Sequence, residues 1–172
     1  FTDFMPLEQH ELLGVRYVQR ARELGRPDLV ILPGTKNTME DLLWLRQNGL
    51  EAAALKLAHV GTPILGVCGG YQMLGQTLDD PQGTESGRPM ALSGLGLLPT
   101  RTVFDAQKRR MQVRAVAQGE LFGGARLTGY EIHNGRTEVG GAPFCMLEDG
   151  TPEGCVNRNV FGTYLHGLFD SS

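Results

Sequence analysis

Two short runs of consecutive apolar residues stand out in the first half of the chain. They occupy residues 28–33 (DLVILP) and 62–67 (TPILGV), and neither alternates between apolar and polar positions. Continuous apolar runs of this length are typical of strands buried on both faces, as in a parallel sheet. We therefore predict two parallel strands in one sheet.

A helical pattern follows each predicted strand. Apolar residues recur at helical spacing between positions 39 and 61, with an interruption near Gly49, and Asn37 is a potential cap of this segment. The segment 69–78 predicts a further helix, with Leu78 on its apolar side. Strands and helices that alternate with short connections predict a parallel sheet covered by helices.

The pattern changes in the second half of the chain. Residues 79–94 are rich in Gly, Pro and Ser and predict a surface loop. Short strand candidates follow it at residues 95–104, 111–119, 126–132, 143–149 and 159–167. The predicted fold class is α/β, with a mixed and largely parallel central sheet, helices on both faces and extra antiparallel strands in the second half. These strands extend the same sheet or form an appended ribbon, and residues 1–172 make a single domain.

Composition and charge exclude several classes of function. The net charge of −3 gives no electrostatic footprint for nucleic acid, and the one short basic cluster, at residues 108–110, is predicted to be a solvated loop. No apolar run reaches the roughly 18 to 20 residues that span a bilayer, and the first residues lack the pattern of a signal peptide. We expect a soluble, cytoplasmic protein that binds neither nucleic acid nor membranes.

The three cysteines have no metal-binding or disulfide spacing, so we expect free thiols and no metal. Cys145 and Cys155 lie in strand candidates and are predicted to be buried. Cys68 differs because it lies in the sequence LGVCGGYQML, between a buried strand and the start of a helix. Open α/β sheets place their chemistry at this kind of junction, and a helix amino terminus favours a thiolate. Cys68 is thus either a buried core cysteine or a nucleophile at the tip of a tight turn.

A nucleophilic cysteine also needs a base and a site for the oxyanion. His166, in FGTYLHGLF, is a candidate base that takes the thiol proton and returns it to a leaving amine. Backbone N–H groups around Gly34 and Thr35, after the first strand, and at Gly69, after the cysteine, are candidate oxyanion donors. Taken separately, the histidine and the glycines each have an ordinary structural explanation. Their combination favours nucleophilic catalysis.

Four segments together carry a resemblance to a known family. The sequence GVCGGYQ resembles the nucleophile turn of class I glutamine amidotransferase domains, which have a flavodoxin-like fold. More narrowly, the chain resembles the glutaminase domains of cobyric acid synthases. The segments are LVILPGTKNT (29–38), GVCGGYQMLG (66–75), GYEIHNGRT (129–137) and FGTYLHGLFD (161–170).

The resemblance implies a glutaminase reaction. Cys68 would attack the carboxamide of glutamine, His166 would protonate the departing ammonia, and Gln72 would help to shape the substrate pocket. In this family, ammonia passes to an ATP-dependent synthetase domain of the same polypeptide, which uses ATP and Mg²⁺ to amidate adenosylcobyrinic acid a,c-diamide. The domain itself is expected to bind no cofactor.

Two departures from the family pattern need explanation. Many class I members follow the histidine with Pro-Glu, whereas Gly167 follows His166 here. Glu131, His133 or Asp170 would then orient the histidine, unless the cysteine and histidine act as a dyad with a carboxylate lent by a partner; Glu131 and His133 could equally be structural. Arg136 is either a ligand of the glutamine α-carboxylate or a solvated turn residue.

The second departure is that the chain has no Gly-x-x-x-x-Gly-Lys-Ser/Thr phosphate loop, so the synthetase domain is expected outside these residues. We expect the chain to be truncated at both ends. The alternatives are the glutaminase subunit of the complex that amidates lipid II, a cobyrinic acid a,c-diamide synthase, a cysteine-dependent α/β hydrolase, and a docking module with a vestigial cysteine.

Overall fold

The computed structural model describes residues 5–9, 14–117 and 126–166 of the chain. It describes side chains within these ranges except those of residues 5, 6, 106–117 and 126–132. The α-helices are α1 (Met5–Glu8), α2 (Thr38–Gln47), α3 (Leu50–His59) and α4 (Gly69–Met73). The strands are β1 (Val30–Leu32), β2 (Ile64–Val67), β3 (Thr77–Asp80), β4 (Met90–Ser93), β5 (Thr100–Ala117), β6 (Arg126–Val139), β7 (Cys145–Leu147), β8 (Pro152–Glu153), β9 (Cys155–Asn157), β10 (Val160–Thr163) and β11 (Leu165–His166).

A four-stranded sheet in the order β1-β2-β10-β9 forms the centre of the fold. Strands β1, β2 and β10 run parallel, and β9 is antiparallel to β10. Every residue of β2 and β10 is buried, which explains why the sequence of β2 is continuously apolar rather than alternating. The predicted mixed α/β fold with a parallel core is confirmed.

The helices after β1 and after β2 pack against one face of this sheet. Core residues of α2, α3 and α4 share a cluster with Ile64 of β2 and Val160 of β10. The predicted cap is present, since Asn37 accepts a hydrogen bond from the backbone N–H of Glu40 at 3.2 Å. The predicted interruption is also present, because Gly49 adopts a left-handed conformation with φ 74° between α2 and α3.

A second sheet, in the order β11-β6-β5-β3-β4, contains most of the second half of the chain. Strand β7 of this sheet pairs with β5 and β8. The side chains of β7 pack against Leu65 and Phe161 on the other face of the central sheet. Among the described side chains, those on this other face of the central sheet are contacted by a strand. The sequence pattern had predicted helices on both faces. The antiparallel strands form a separate layer, which is closer to the predicted ribbon.

The prediction of a helix over residues 69–78 is correct only for residues 69–73. Helix α4 ends at Met73, and Leu78 is buried on strand β3. At Gly75 the chain turns towards β5, where a Cβ would lie 2.4 Å from the Oγ1 atom of Thr100, and the N–H of Gln76 donates to Thr100 O at 2.8 Å. Pairing with β5 therefore replaces the next helical turn.

Two expectations for loops are also corrected. Residues 90–93, predicted as loop, form β4 and pair with β3. The basic cluster at residues 108–110 lies within β5, a single strand with a register shift between Val103 and Lys108, and not in a loop. Separately, none of the helices in the described ranges is long and apolar enough to cross a lipid bilayer.

Candidate active site

Cys68 lies at the carboxyl end of β2 and is the residue that precedes helix α4. Its φ of 53° and ψ of −110° are unusual, and within the described ranges Arg158 is the only other non-glycine residue with positive φ. Such a conformation costs on the order of 1 to 3 kcal/mol and is found mainly at functional sites. The side chain is partly exposed, unlike those of Cys145 and Cys155, which are fully buried as predicted.

His166 and Cys68 approach the same point next to Gly34. A Cβ atom placed on Gly34 would lie 3.3 Å from the Cε1 atom of His166 and 3.4 Å from the Cβ atom of Cys68. Any side chain at position 34 would therefore press on both residues. The structure thus brings the imidazole, the cysteine and the turn after β1 together at one edge of the central sheet.

The candidate oxyanion donors also converge here. A Cβ atom on Gly69 would lie 2.8 Å from the Oγ1 atom of Thr35 and 3.2 Å from the backbone nitrogen of Thr35. The next residue, Gly70, is packed so tightly that its Cβ would lie 2.0 Å from the carbonyl oxygen of Leu32. The glycines after Cys68 are therefore required by the close contact between α4 and the end of β1. That the N–H groups of Gly34 or Thr35 and Gly69 bind an oxyanion stays a prediction.

Gln72 is buried, and its side-chain amide connects three parts of the site. Its Nε2 atom donates to the carbonyl oxygen of Asn134 at 2.9 Å and to the hydroxyl of Tyr164 at 3.0 Å, and its Oε1 atom accepts from the hydroxyl of Thr38 at 3.1 Å. The amide is thus engaged inside the protein. Gln72 thus links α2, β6 and the residue after β10, and its role in shaping a substrate pocket stays a prediction.

Tyr164 is buried next to Gln72, and nothing in the sequence distinguished it. Burial raises the pKa of Tyr164 to about 12, so its hydroxyl stays protonated. This oxygen accepts from Gln72 and is also hydrogen-bonded to the hydroxyl of Thr137, which lies 2.8 Å from the Oγ1 atom of Thr102. The ring of His133 stacks on that of Tyr164, with centroids 3.6 Å apart and planes 12° apart.

Of the predicted orienting residues, the structure describes the side chain of His133 but not those of Glu131 and Asp170. His133 lies against Tyr164, and an orienting role for it stays a prediction. Glu131 lies opposite Leu165 in the β6–β11 ladder, but its side chain falls outside the described side chains, as Asp170 does entirely. The guanidinium of Arg136 is largely exposed and lies 3.5 Å from the carboxylate of Asp105.

Groups of metal-ligating side chains are absent from the part of the chain that the structure describes. There, no three His, Cys, Asp or Glu residues are arranged to hold an ion.

Burial also raises the pKa of Cys155 to about 11, which keeps that thiol protonated and unreactive. Of the three cysteines, Cys68 alone is partly exposed, and its role as a nucleophile stays a prediction.

Comparison with family models assigns this arrangement to a class of enzyme. Residues 1–172 match the model of the CobB/CobQ-like glutamine amidotransferase domain. The chain belongs to this family. It is a glutamine amidotransferase domain, as the four sequence segments indicated.

Curated relatives of the amidotransferase domain are longer proteins. The chain is 46% identical to the cobyric acid synthase of Moorella thermoacetica, over 99% of the chain and 36% of the relative. It is 47% identical to the cobyric acid synthase of Desulforudis audaxviator, over 99% of the chain and 35% of the relative. The chain therefore spans about a third of the length of these relatives.

Solved structures support the fold of the amidotransferase domain. A crystal structure of a glutamine amidotransferase superposes with a TM-score of 0.70 at 16% identity, covering 98% of this chain and 85% of the other. The structure of PurLQS from Thermotoga maritima superposes with a TM-score of 0.67 at 18% identity, covering 96% and 80%. At these identities the likeness concerns the fold alone.

Proposed function

We propose that Cys68 is the nucleophile and His166 the general acid and base of a glutaminase reaction. The observation that supports this proposal is the convergence of the two residues beside Gly34, with Cys68 at a positive φ at the start of α4. A nucleophile on a sharp turn from strand to helix projects into the open edge of the sheet. There it meets the base and the backbone N–H groups of the turn after β1.

The proposed reaction proceeds through a thioester. The Cys68 thiolate attacks the side-chain carboxamide carbon of glutamine, and His166 holds the thiol proton. Backbone N–H groups near Gly34 and Gly69 stabilise the oxyanion, and the loss of one such donor typically costs about a hundredfold to a thousandfold in rate. The intermediate collapses as ammonia leaves with the proton from His166, and water then hydrolyses the thioester to glutamate.

We further propose that the ammonia is used by an ATP-dependent region of the same polypeptide. The cobyric acid synthases that match this chain are about three times its length, which leaves room for such a region. By their name, we propose adenosylcobyrinic acid a,c-diamide as the acceptor, with ATP and Mg²⁺ bound by that region and not by this domain. A cytoplasmic location fits an enzyme that uses ATP.

Covalent labelling tests the proposed nucleophile. The full-length polypeptide that contains this chain is incubated with 6-diazo-5-oxo-norleucine, a reactive glutamine analogue, and analysed by intact mass and peptide mapping. One adduct on Cys68 is expected, and Cys68→Ser should abolish it while Cys155→Ser leaves it unchanged. Absence of an adduct on Cys68 in the full-length protein would overturn the glutaminase proposal.

A second assay separates a dyad from a triad. Cys68→Ser and His166→Ala are both expected to abolish ammonia release from glutamine. Under the dyad proposal Glu131→Gln keeps most of the activity. A large loss in Glu131→Gln, with an unchanged circular dichroism spectrum, would instead assign Glu131 as the third member.

A further inference from the structure

Glu153, at the end of β8, is a buried carboxylate directly behind the candidate site. It is only 5% exposed. Its Oε2 atom accepts from the hydroxyl of Thr163 at 2.6 Å, and its Oε1 atom accepts from the backbone N–H of Tyr164 at 2.6 Å. The thiol of Cys145 donates to Oε2 at 3.3 Å. Donors at such short distances are typical of an ionised acceptor.

These bonds fall where the chain passes from one sheet to the other. Strand β10 ends at Thr163 in the central sheet, and β11 begins at Leu165 in the second sheet, so Tyr164 belongs to neither ladder. Its buried N–H therefore needs an acceptor outside the sheets, and Glu153 provides it. His166 is the second residue after this corner, so its position depends on the path of the corner.

The same corner also fixes the backbone of the cysteine. The carbonyl oxygen of Thr163 accepts from the N–H of Cys68 at 2.8 Å, and the hydroxyl of Thr163 accepts from the N–H of Leu165 at 3.0 Å. Thr163 thus touches Cys68 through its backbone, β11 through its hydroxyl oxygen, and Glu153 through its hydroxyl proton. One carboxylate orders both halves of the reacting pair.

We propose that Glu153 is a positioning residue for Cys68 and His166, acting through the Thr163–Tyr164 corner. This inference rests on the proposed glutaminase function. A carboxylate suits the role because both of its oxygens are acceptors, and here they receive donors from three directions. Glutamine at this position would turn an amide N–H₂ group towards one of these donors, and the corner would shift. Nothing in the sequence TPEGCVN marked Glu153 as buried.

The kinetic test uses the full-length polypeptide with glutamine as substrate. Glu153→Gln is expected to lower kcat about 10- to 100-fold, because a displacement of about 1 Å between reacting groups has an effect of this size. KM should change less than kcat, since the two residues that the corner positions act in the chemical steps. Glu148→Gln is the matched control, because Glu148 is exposed in the turn after β7, and it should behave as the wild type.

A double-mutant cycle separates positioning from general stability. The rate of Cys68 labelling by 6-diazo-5-oxo-norleucine is measured for the wild type, Glu153→Gln, His166→Ala and the double variant. If Glu153 acts by placing His166, the two effects are strongly non-additive, and Glu153→Gln adds less than about threefold in the His166→Ala background. Equal effects of Glu153→Gln in both backgrounds would remove His166 from the proposal and leave Cys68 as the residue that Glu153 places, whereas no effect in either background would overturn the proposal.

Thr163 offers an independent route if Glu153→Gln folds poorly. Thr163→Val removes the hydroxyl and should lower kcat with little change in KM, whereas Thr163→Ser keeps the hydroxyl and should restore most of the rate. Equal activity of the valine and serine variants would contradict the proposed path. If the wild type is not labelled at Cys68, the glutaminase proposal itself is refuted. If Glu153→Gln is labelled at the wild-type rate, only the proposed role of Glu153 is refuted.

Discussion

Cys68 and Gly69 are neighbours in one turn, but different physical demands act on them. The backbone of Cys68 carries the unfavourable dihedral angles, with φ at 53°. Gly69 has no left-handed conformation, yet a Cβ at this position would contact Thr35 and Thr38 at less than 3 Å. The cysteine is therefore held in a strained conformation by its surroundings, while the glycine is needed because two chain segments meet there.

The close contact at Gly69 predicts the effect of adding one methyl group at this position. Gly69→Ala should push the turn that carries Thr35 away from Cys68 and lower kcat for glutamine hydrolysis about a hundredfold or more, because an oxyanion donor is displaced. We expect overpacking to cost about 1 to 3 kcal/mol in the free energy of unfolding. Steady-state kinetics and urea denaturation measure the two effects.

Gly14→Ala provides the control for this substitution. Among the described residues, no atom lies within 4 Å of a Cβ at Gly14, so a methyl group there should change neither kcat nor stability. Wild-type kcat in Gly69→Ala would show that the contact with Thr35 does not determine the geometry of the site.

The site was predictable from sequence where short motifs determine it. The apolar run into Cys68 and the glycines around it form a short motif that can be recognised in the sequence, although the contacts that require Gly69 and Gly70 come from the distant segment around Leu32 and Thr35. Glu153 and Tyr164 were not predictable, because their roles depend on a corner between two sheets that no local pattern encodes. The local sequence around a buried glutamate between short strands does not differ from that around an exposed one.

At the scale of elements, the sequence predicted β1, α2, α3 and β2 correctly because apolar periodicity and caps act locally. It failed after α4, where the competition between one more helical turn and pairing with β5 is decided by distant residues. The segment from Leu74 to Leu98 illustrates this: Leu74 O accepts from the N–H groups of Leu97 and Leu98 at 2.9 Å. Tertiary hydrogen bonds thus end the helix, although its sequence could continue it.

The loop between β3 and β4 is ordered by one buried carboxylate. Asp80 accepts hydrogen bonds from the backbone N–H groups of Thr84, Glu85 and Ser86, each at 2.9 Å. The loop in turn places the carboxylate of Glu85 on the N–H of Thr38 at 2.9 Å, at the start of α2. Asp80 therefore supports the amino end of the helix whose first residues border the site.

Asp80 also makes the stability of this loop depend on pH. Burial alone would raise the pKa of Asp80, but the hydrogen bonds from residues 84–86 outweigh it and hold the pKa below its usual value. A lowered pKa in the folded state means that the stabilisation is present above the unfolded pKa of about 4 and is lost as the pH falls through the folded pKa.

Asp80→Asn should lower the free energy of unfolding by about 1 to 3 kcal/mol at neutral pH, because donors lose a charged acceptor. The difference from the wild type should narrow below about pH 4, as the wild-type carboxylate is protonated. Urea denaturation at a series of pH values measures both quantities. Asp79→Asn is the control, and a difference that stays constant down to pH 2 would contradict the assigned role.

At the scale of the whole molecule, the site lies across the junction of the two sheets. Cys68 directly follows β2 of the central sheet, and His166 lies on β11 of the second sheet. The amide of Gln72 on α4 connects these layers, since it donates to Asn134 of β6 and to Tyr164 at the corner. Catalytic geometry should therefore persist only while both layers stay assembled.

The single tryptophan allows this coupling to be measured in the 172-residue chain. Trp44 lies on α2 and reports the helical layer by its fluorescence, whereas labelling of Cys68 by 6-diazo-5-oxo-norleucine reports the junction. We expect both signals to be lost at the same urea concentration in the wild type, because the Gln72 bonds join the layers. Gln72→Ala should lose labelling at a lower concentration than fluorescence, and Gln47→Ala, at the exposed end of α2, should keep the two transitions together. Separate transitions in the wild type would mean that the second sheet opens on its own and that the junction does not depend on Gln72.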